Sequence, residues 1–172
     1  MKKVLFSLIA LMAVMTVQAQ TIYASWHIMQ PVVETEADGS FKVQSLTYTF
    51  YEDGTYYLID ELTLSSVPSQ TMELEVATNI ELKGTYTLDG DKLTLTPKMN
   101  TYKTELLSIS KNGKVTTDRK VESKVNAMLT SKEFKENFAK TQEFKVKVGE
   151  ASLQMNDGKK TINYVRFATI KN

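Results

Sequence analysis

Short stretches in which apolar and polar residues alternate recur along most of this chain, and they are separated by Asp-Gly or Asn-Gly pairs. Five of the seven glycines, Gly39, Gly54, Gly90, Gly113 and Gly158, directly follow Asp or Asn. Such pairs supply the positive φ that tight hairpin turns need, so their repetition predicts consecutive antiparallel strands. Leu82, Gly84, Tyr86 and Leu88 alternate, reverse at residues 89–92, and are answered by Leu93 and Leu95. This predicts a hairpin pairing Leu88 with Leu93 and Tyr86 with Leu95, with Gly84 leaving room for a neighbouring backbone or bulky side chain.

The same logic places a first strand over residues 21–30, carrying Trp26 and stopped by Pro31, followed by an acidic loop. Phe41, Val43, Leu46, Tyr48 and Phe50 form the next, with a change of parity that predicts a bulge near Gln44 and Ser45. The turn at Glu52-Asp53-Gly54 leaves two registers open. A three-residue loop pairs Phe50 with Tyr56 and Tyr48 with Leu58, whereas a two-residue loop pairs Phe50 with Tyr57. Residues 65–70, containing Pro68, read as an open loop.

Beyond a further hairpin about Asn112-Gly113, the period changes. Val121, Val125, Met128 and Leu129 share one helical face, with Asp118 suited to the cap, and Thr130 with Glu133 reads as a capping box ahead of Phe134 and Phe138. Two short helices or one kinked helix are expected over residues 119–140. Strand alternation returns at Phe144, Val146 and Val148, and residues 151–155 and 161–170 form a closing hairpin. About nine or ten strands with one helical insertion hide their edges best by closing into a barrel. The expected fold is therefore all-β, an antiparallel up-and-down barrel of about 8–10 strands with a helical insertion near residues 119–140.

The ends and the composition narrow the setting. Lys2 and Lys3 precede an apolar run over residues 4–17, and Val17-Gln18-Ala19 offers small residues where a signal peptidase reads. Residues 1–19 are expected to be a signal peptide and residues 20–172 a single domain, exported to the periplasm or the exterior. The run falls short of the ~20 residues of a spanning helix, and no integral membrane segment is expected after cleavage. Cysteine is absent, which removes disulfides and thiolate chemistry.

Residues 20–97 carry 3 Lys against 12 acids, a net of −9, and residues 98–172 carry 16 Lys plus Arg against 8 acids, a net of +8. Strands from the two halves lying side by side would cancel this asymmetry, and the interspersed Lys and Glu favour that over a basic face for an anionic partner. No nucleic-acid partner is expected.

Trp26 in the first strand, Leu46-Thr47-Tyr48-Thr49-Phe50-Tyr51-Glu52-Asp53-Gly54-Thr55-Tyr56, and Lys83-Gly84-Thr85-Tyr86-Thr87-Leu88-Asp89-Gly90-Asp91-Lys92-Leu93-Thr94-Leu95 together resemble the secreted bacterial lipocalin-like domain family, of the calycin barrels. The resemblance covers residues 23–96 well and the remainder in outline. It implies a ligand-binding barrel and a small lipophilic or amphipathic ligand. Lipocalins commonly carry Gly-x-Trp, where this chain has Ala24-Ser25-Trp26, and place a late Arg against that Trp. Arg166 is the residue so implied, stacking on Trp26 and closing one barrel end. The helix precedes about three strands here, instead of the one usual in that family.

Candidate chemistry is thin. His27 is the sole histidine, and no nucleophile elbow, phosphate loop or metal-protease helix motif accompanies it. The acidic pairs Glu52-Asp53, Asp60-Glu61 and Asp89 with Asp91 read as structural, two of the three being hairpin turns. No catalytic residue, metal ligand or cofactor is expected, and the chain is read as non-enzymatic. Alternation instead points Tyr48, Phe50, Tyr56, Leu58, Tyr86, Leu88 and Tyr102 the same way, as the candidate lining of a ligand space, against a filled core. The competing functional reading is a protein-interaction or inhibitor module using the loop at residues 65–70 or the basic helix.

Overall fold

The computed structural model describes residues 21–69 and 72–168. Residues 1–20, which include the expected signal peptide, and residues 70, 71 and 169–172 lie outside that description. All five Asp-Gly and Asn-Gly glycines have positive φ, from 61° to 89°. At Gly54, with φ 78°, Tyr51 N–H donates to Thr55 O at 2.9 Å and Gly54 N–H to Tyr51 O at 3.2 Å. Asp53 Oδ1 accepts from Thr55 N–H at 2.9 Å. The loop is thus the three-residue form, and Phe50 pairs with Tyr56 and Tyr48 with Leu58.

The strands are β1 (Ser25–Ile28), β2 (Val32–Thr35), β3 (Phe41–Phe50), β4 (Thr55–Ser69), β5 (Met72–Asp89), β6 (Lys92–Pro97), β7 (Lys103–Lys111), β8 (Lys114–Val115), β9 (Gln142–Val148), β10 (Ser152–Asn156) and β11 (Thr161–Ala168). Eight of them, β1, β3, β4, β5, β6, β9, β10 and β11, pair each with the next, all antiparallel, and β11 pairs back with β1. The result is a closed up-and-down barrel of eight antiparallel strands, consistent with a calycin-like fold. Leu88 meets Leu93 and Tyr86 meets Leu95, as the alternation predicts.

β4 and β5 are too long for the barrel alone. Their far halves continue beyond one end and, with β2, the first part of β3, β7 and β8, make an antiparallel extension. Two helices, α1 (Arg119–Leu129) and α2 (Lys132–Ala139), form the insertion between β8 and β9. Val125 and Leu129 of α1 are buried with Val76 of β5 and Ile109 of β7, forming a small apolar cluster distinct from the barrel core. Asp118 caps α1, its Oδ1 accepting from Lys120 N–H at 2.8 Å.

Four local expectations are corrected. No bulge interrupts β3. Instead its inward face passes from Phe50, Tyr48 and Leu46 to Gln44 and Lys42, leaving Phe41 and Val43 on the opposite face. Residues 65–69 are not an open loop but the end of β4, which pairs with β5 with an irregularity between Ser66 and Ser69. Pro68, without an N–H, falls within it. The acidic stretch after β1 contains a strand, β2, added to the edge of β3. The cap of α2 is Ser131, whose Oγ accepts from Phe134 N–H at 3.2 Å, whereas Thr130 ends α1.

Ion pairs join residues of the two charge halves. Asp91 contacts Lys145 at 3.2 Å, Lys92 contacts Glu143 at 2.9 Å, and Glu34 contacts Lys160 at 3.3 Å. Among the described residues no helix is long and apolar enough to cross a membrane.

Candidate functional site: a cavity beneath the second helix

The barrel has one closed and one open end. At the closed end Ile22, Ala24, Trp26 and Phe50 are buried together. Trp26 Nε1 donates to Ile22 O at 2.7 Å, and the Arg166 guanidinium carbon lies 5.1 Å from the centroid of the Trp26 ring. His27, on the outward face of β1, is hydrogen-bonded through Nδ1 to Thr47 Oγ1 at 2.8 Å.

At the open end, strands diverge into the extension and α2 crosses above them, leaving a cavity of about 420 Å³. That volume is within the range of small-molecule sites. Its floor is Tyr48, Tyr56 and Tyr164, and its walls include Leu58, Leu82 and Ile162. Phe134, Asn137 and Phe138 of α2 form the roof, and Lys42, Lys140 and Lys160 stand at the rim. The roof is anchored by rings: Phe138 lies 5.9 Å from Phe134 and 5.7 Å from Tyr102 between centroids. Tyr102 in turn donates its hydroxyl to Leu129 O at 3.0 Å, tying the barrel rim to the end of α1.

The residues proposed from alternation therefore separate by depth. Tyr48, Tyr56 and Leu58 line the cavity. Phe50 is fully buried below them, stacked 5.8 Å from Tyr48 and edge-on 5.0 Å from Tyr86. Tyr86 and Leu88 border a separate cleft at the closed end with Ile22 and Tyr23, and the Tyr86 hydroxyl donates to Tyr51 O at 2.8 Å. Tyr102 braces the roof.

Burial raises the Tyr56 phenol to about 12. The Tyr48 phenol is pushed well above its ordinary value, first by burial and then by Tyr164, Tyr56 and Asp60. These hydroxyls thus stay protonated and offer donors as well as ring faces.

Asp60 is the residue that the turn argument passed over. It is fully buried on β4, sharing the inward parity of Tyr56, Leu58 and Leu62, and it borders the cavity. Gln44 Nε2 donates to its Oδ2 at 2.7 Å, while Oδ1 has no hydrogen-bond partner. Burial lifts its carboxyl from 3.8 to about 6, moderated by the Gln44 hydrogen bond and by Lys42. The signal available in the sequence was parity: an acid stands on the apolar face of a strand.

Among the described residues no group of three or more His, Asp and Glu is placed to hold a metal ion. The chain matches no protein-family model and no curated protein, so its likeness to the lipocalin-like family rests on barrel architecture and turn motifs.

Proposed function

We propose that this is an exported, non-enzymatic protein of lipocalin-like type that binds a small lipophilic or amphipathic molecule inside its barrel. The observation that carries this reading is the cavity of about 420 Å³ at the open end, floored by phenols, walled by aliphatic side chains and roofed by α2. A filled core would have placed side chains there at the packing density of a protein interior. The placement of residues 65–69 within β4 takes away the open loop, one of the two features on which an interaction module would have relied, the basic helix being the other.

The test is a fluorescence titration of the chain lacking residues 1–19 with N-phenyl-1-naphthylamine, a neutral lipophilic probe. Saturable, equimolar enhancement is expected, weakened by Leu46→Trp, which places an indole in the cavity wall. A linear, unsaturable response would overturn the reading.

A further inference from the structure

A purely lipophilic guest has no use for the carboxylate in this cavity. Asp60 is flanked along β4 by inward-facing Leu58 and Leu62 and pairs across the sheet with Leu46 and Ile80. Its Oδ2 is satisfied by Gln44, but Oδ1 meets no donor, and none of the ion pairs among the described residues includes it. Burying a carboxylate oxygen without a partner is costly, and native interiors retain such groups chiefly where a ligand, ion or water completes them.

The surroundings select the kind of partner. A neutral hydroxyl would satisfy the lone pair yet leave the charge uncompensated. Tyr48, Tyr56 and Tyr164 line the same cavity as Asp60, Tyr48 lying 5.9 Å from Tyr164 and 6.2 Å from Tyr56 between centroids. A carboxylate beside several ring faces is the chemistry that holds an ammonium group. At the rim, Lys42 and Lys160 are both engaged by Glu34, which reduces their pull on an anionic head group, and Lys140 stands there outside these ion pairs.

We propose, building on the ligand-binding reading above, that Asp60 fixes the head of a cationic amphipath. A primary or secondary ammonium donates to Oδ1, and its apolar body lies against Tyr48, Tyr56, Leu58 and Phe138. Oδ1 is buried although Asp60 borders the cavity, so engaging it requires the lining side chains to shift.

The site is also sensitive to acid. The charged and titratable groups acting on Asp60 or feeling its charge are Lys42 from β3, Glu61 beside it on β4, and the phenols of Tyr48, Tyr102 and Tyr164. Burial raises the phenols of Tyr48, Tyr102 and Tyr164, which stay neutral, and lifts the Asp60 carboxyl to about 6. Acidification removes the counter-charge and releases a cation.

The experiment is calorimetry with three probes sharing one tail: hexylammonium, 1-hexanol and hexanoate. At about pH 7.5 hexylammonium is expected to bind about tenfold or more tightly than 1-hexanol, the margin of one charge-assisted hydrogen bond. In Asp60→Asn the ratio of hexylammonium to 1-hexanol affinity falls to about unity. In the unsubstituted protein that ratio also falls by about tenfold on moving to about pH 5, which keeps the proposal testable if the variant does not fold. An unchanged ratio in the variant or across pH, or a preference for hexanoate, overturns it. If N-phenyl-1-naphthylamine still saturates in that case, the cavity reading survives and only the cation assignment falls. If that probe fails as well, both fall.

Discussion

Arg166 and Trp26 face each other across the β1–β11 ladder, with the guanidinium carbon 5.1 Å from the indole centroid. The indole is fully buried and its N–H is spent on Ile22 O, so the ring face is what remains for the cation. Arg166 Nε, by contrast, is buried without a hydrogen-bond partner. The contact therefore combines a cation–π attraction with the desolvation of one donor, and it lies at the barrel end opposite the cavity.

Substituting Arg166→Met keeps much of the side-chain length while removing the charge. Chemical denaturation should show a loss of about 0.5–2 kcal/mol, with Arg166→Lys intermediate. A Met variant as stable as the parent would mean that desolvating Nε offsets the ring contact completely.

Gly84 sits where β5 passes under Tyr56. A Cβ built there would fall 2.4 Å from Tyr56 Cε1 and 2.4 Å from Thr96 O, the second being backbone that cannot swing aside. Gly84→Ala should cost about 1–3 kcal/mol as overpacking and displace the Tyr56 ring from the cavity floor. Thermal melting reads the first effect and near-ultraviolet circular dichroism the second.

The pH dependence of stability should carry the mark of Asp60. Its folded-state carboxyl is raised from 3.8 to about 6, so the folded chain holds this proton more tightly than the unfolded chain. The associated stability is fully present below about pH 4 and is lost as pH rises through about 6. The full shift corresponds to about 3 kcal/mol. Asp60→Asn, which has no proton to lose, should equal the parent near pH 4 and exceed it by up to that amount above pH 7. Lowered carboxyls such as Glu34 and Asp157, favoured respectively by Lys42 and by the Lys160 backbone, act in the opposite direction in both proteins. The informative quantity is accordingly the difference between parent and variant in urea unfolding at each pH. A flat difference would place the Asp60 carboxyl near its ordinary value.

The roof depends on a cap. Ser131 Oγ accepts from Phe134 N–H at 3.2 Å, and α2 has only 8 residues, too few to hold itself without tertiary contacts. Ser131→Ala should weaken α2 by about 1 kcal/mol. Hydrogen exchange should quicken at α2 while the barrel strands keep their protection, and uniform acceleration throughout would deny the helix an independent role.

What could be read from the chain alone was local. Gly54, Gly90 and Gly158 mark reversals because positive φ is a property of one residue, and the Leu88–Leu93 pairing follows from a turn four residues long. The helical insertion is legible from Val121, Val125 and Leu129 because amphipathic spacing is short-range. Where such rules competed, the text was ambiguous: the Phe50–Tyr56 register depended on how three residues between them close. The parity change in β3 looked like a bulge because a single strand serving two layers and a strand with an inserted residue leave the same hydrophobic trace.

Tertiary structure alone decided the rest. Whether the inward-pointing aromatics enclose space depends on β4 and β5 outrunning the barrel and on α2 crossing above it, distances set by pairings far apart in sequence. Asp60 gains its environment from Gln44, from Tyr164 and from the roof, none of them adjacent to it in the chain. A carboxylate's burial and its missing partner are properties of the assembled interior. Periodicity could have placed Asp60 on the inward face, but only the fold determined that one of its oxygens would be left without a donor.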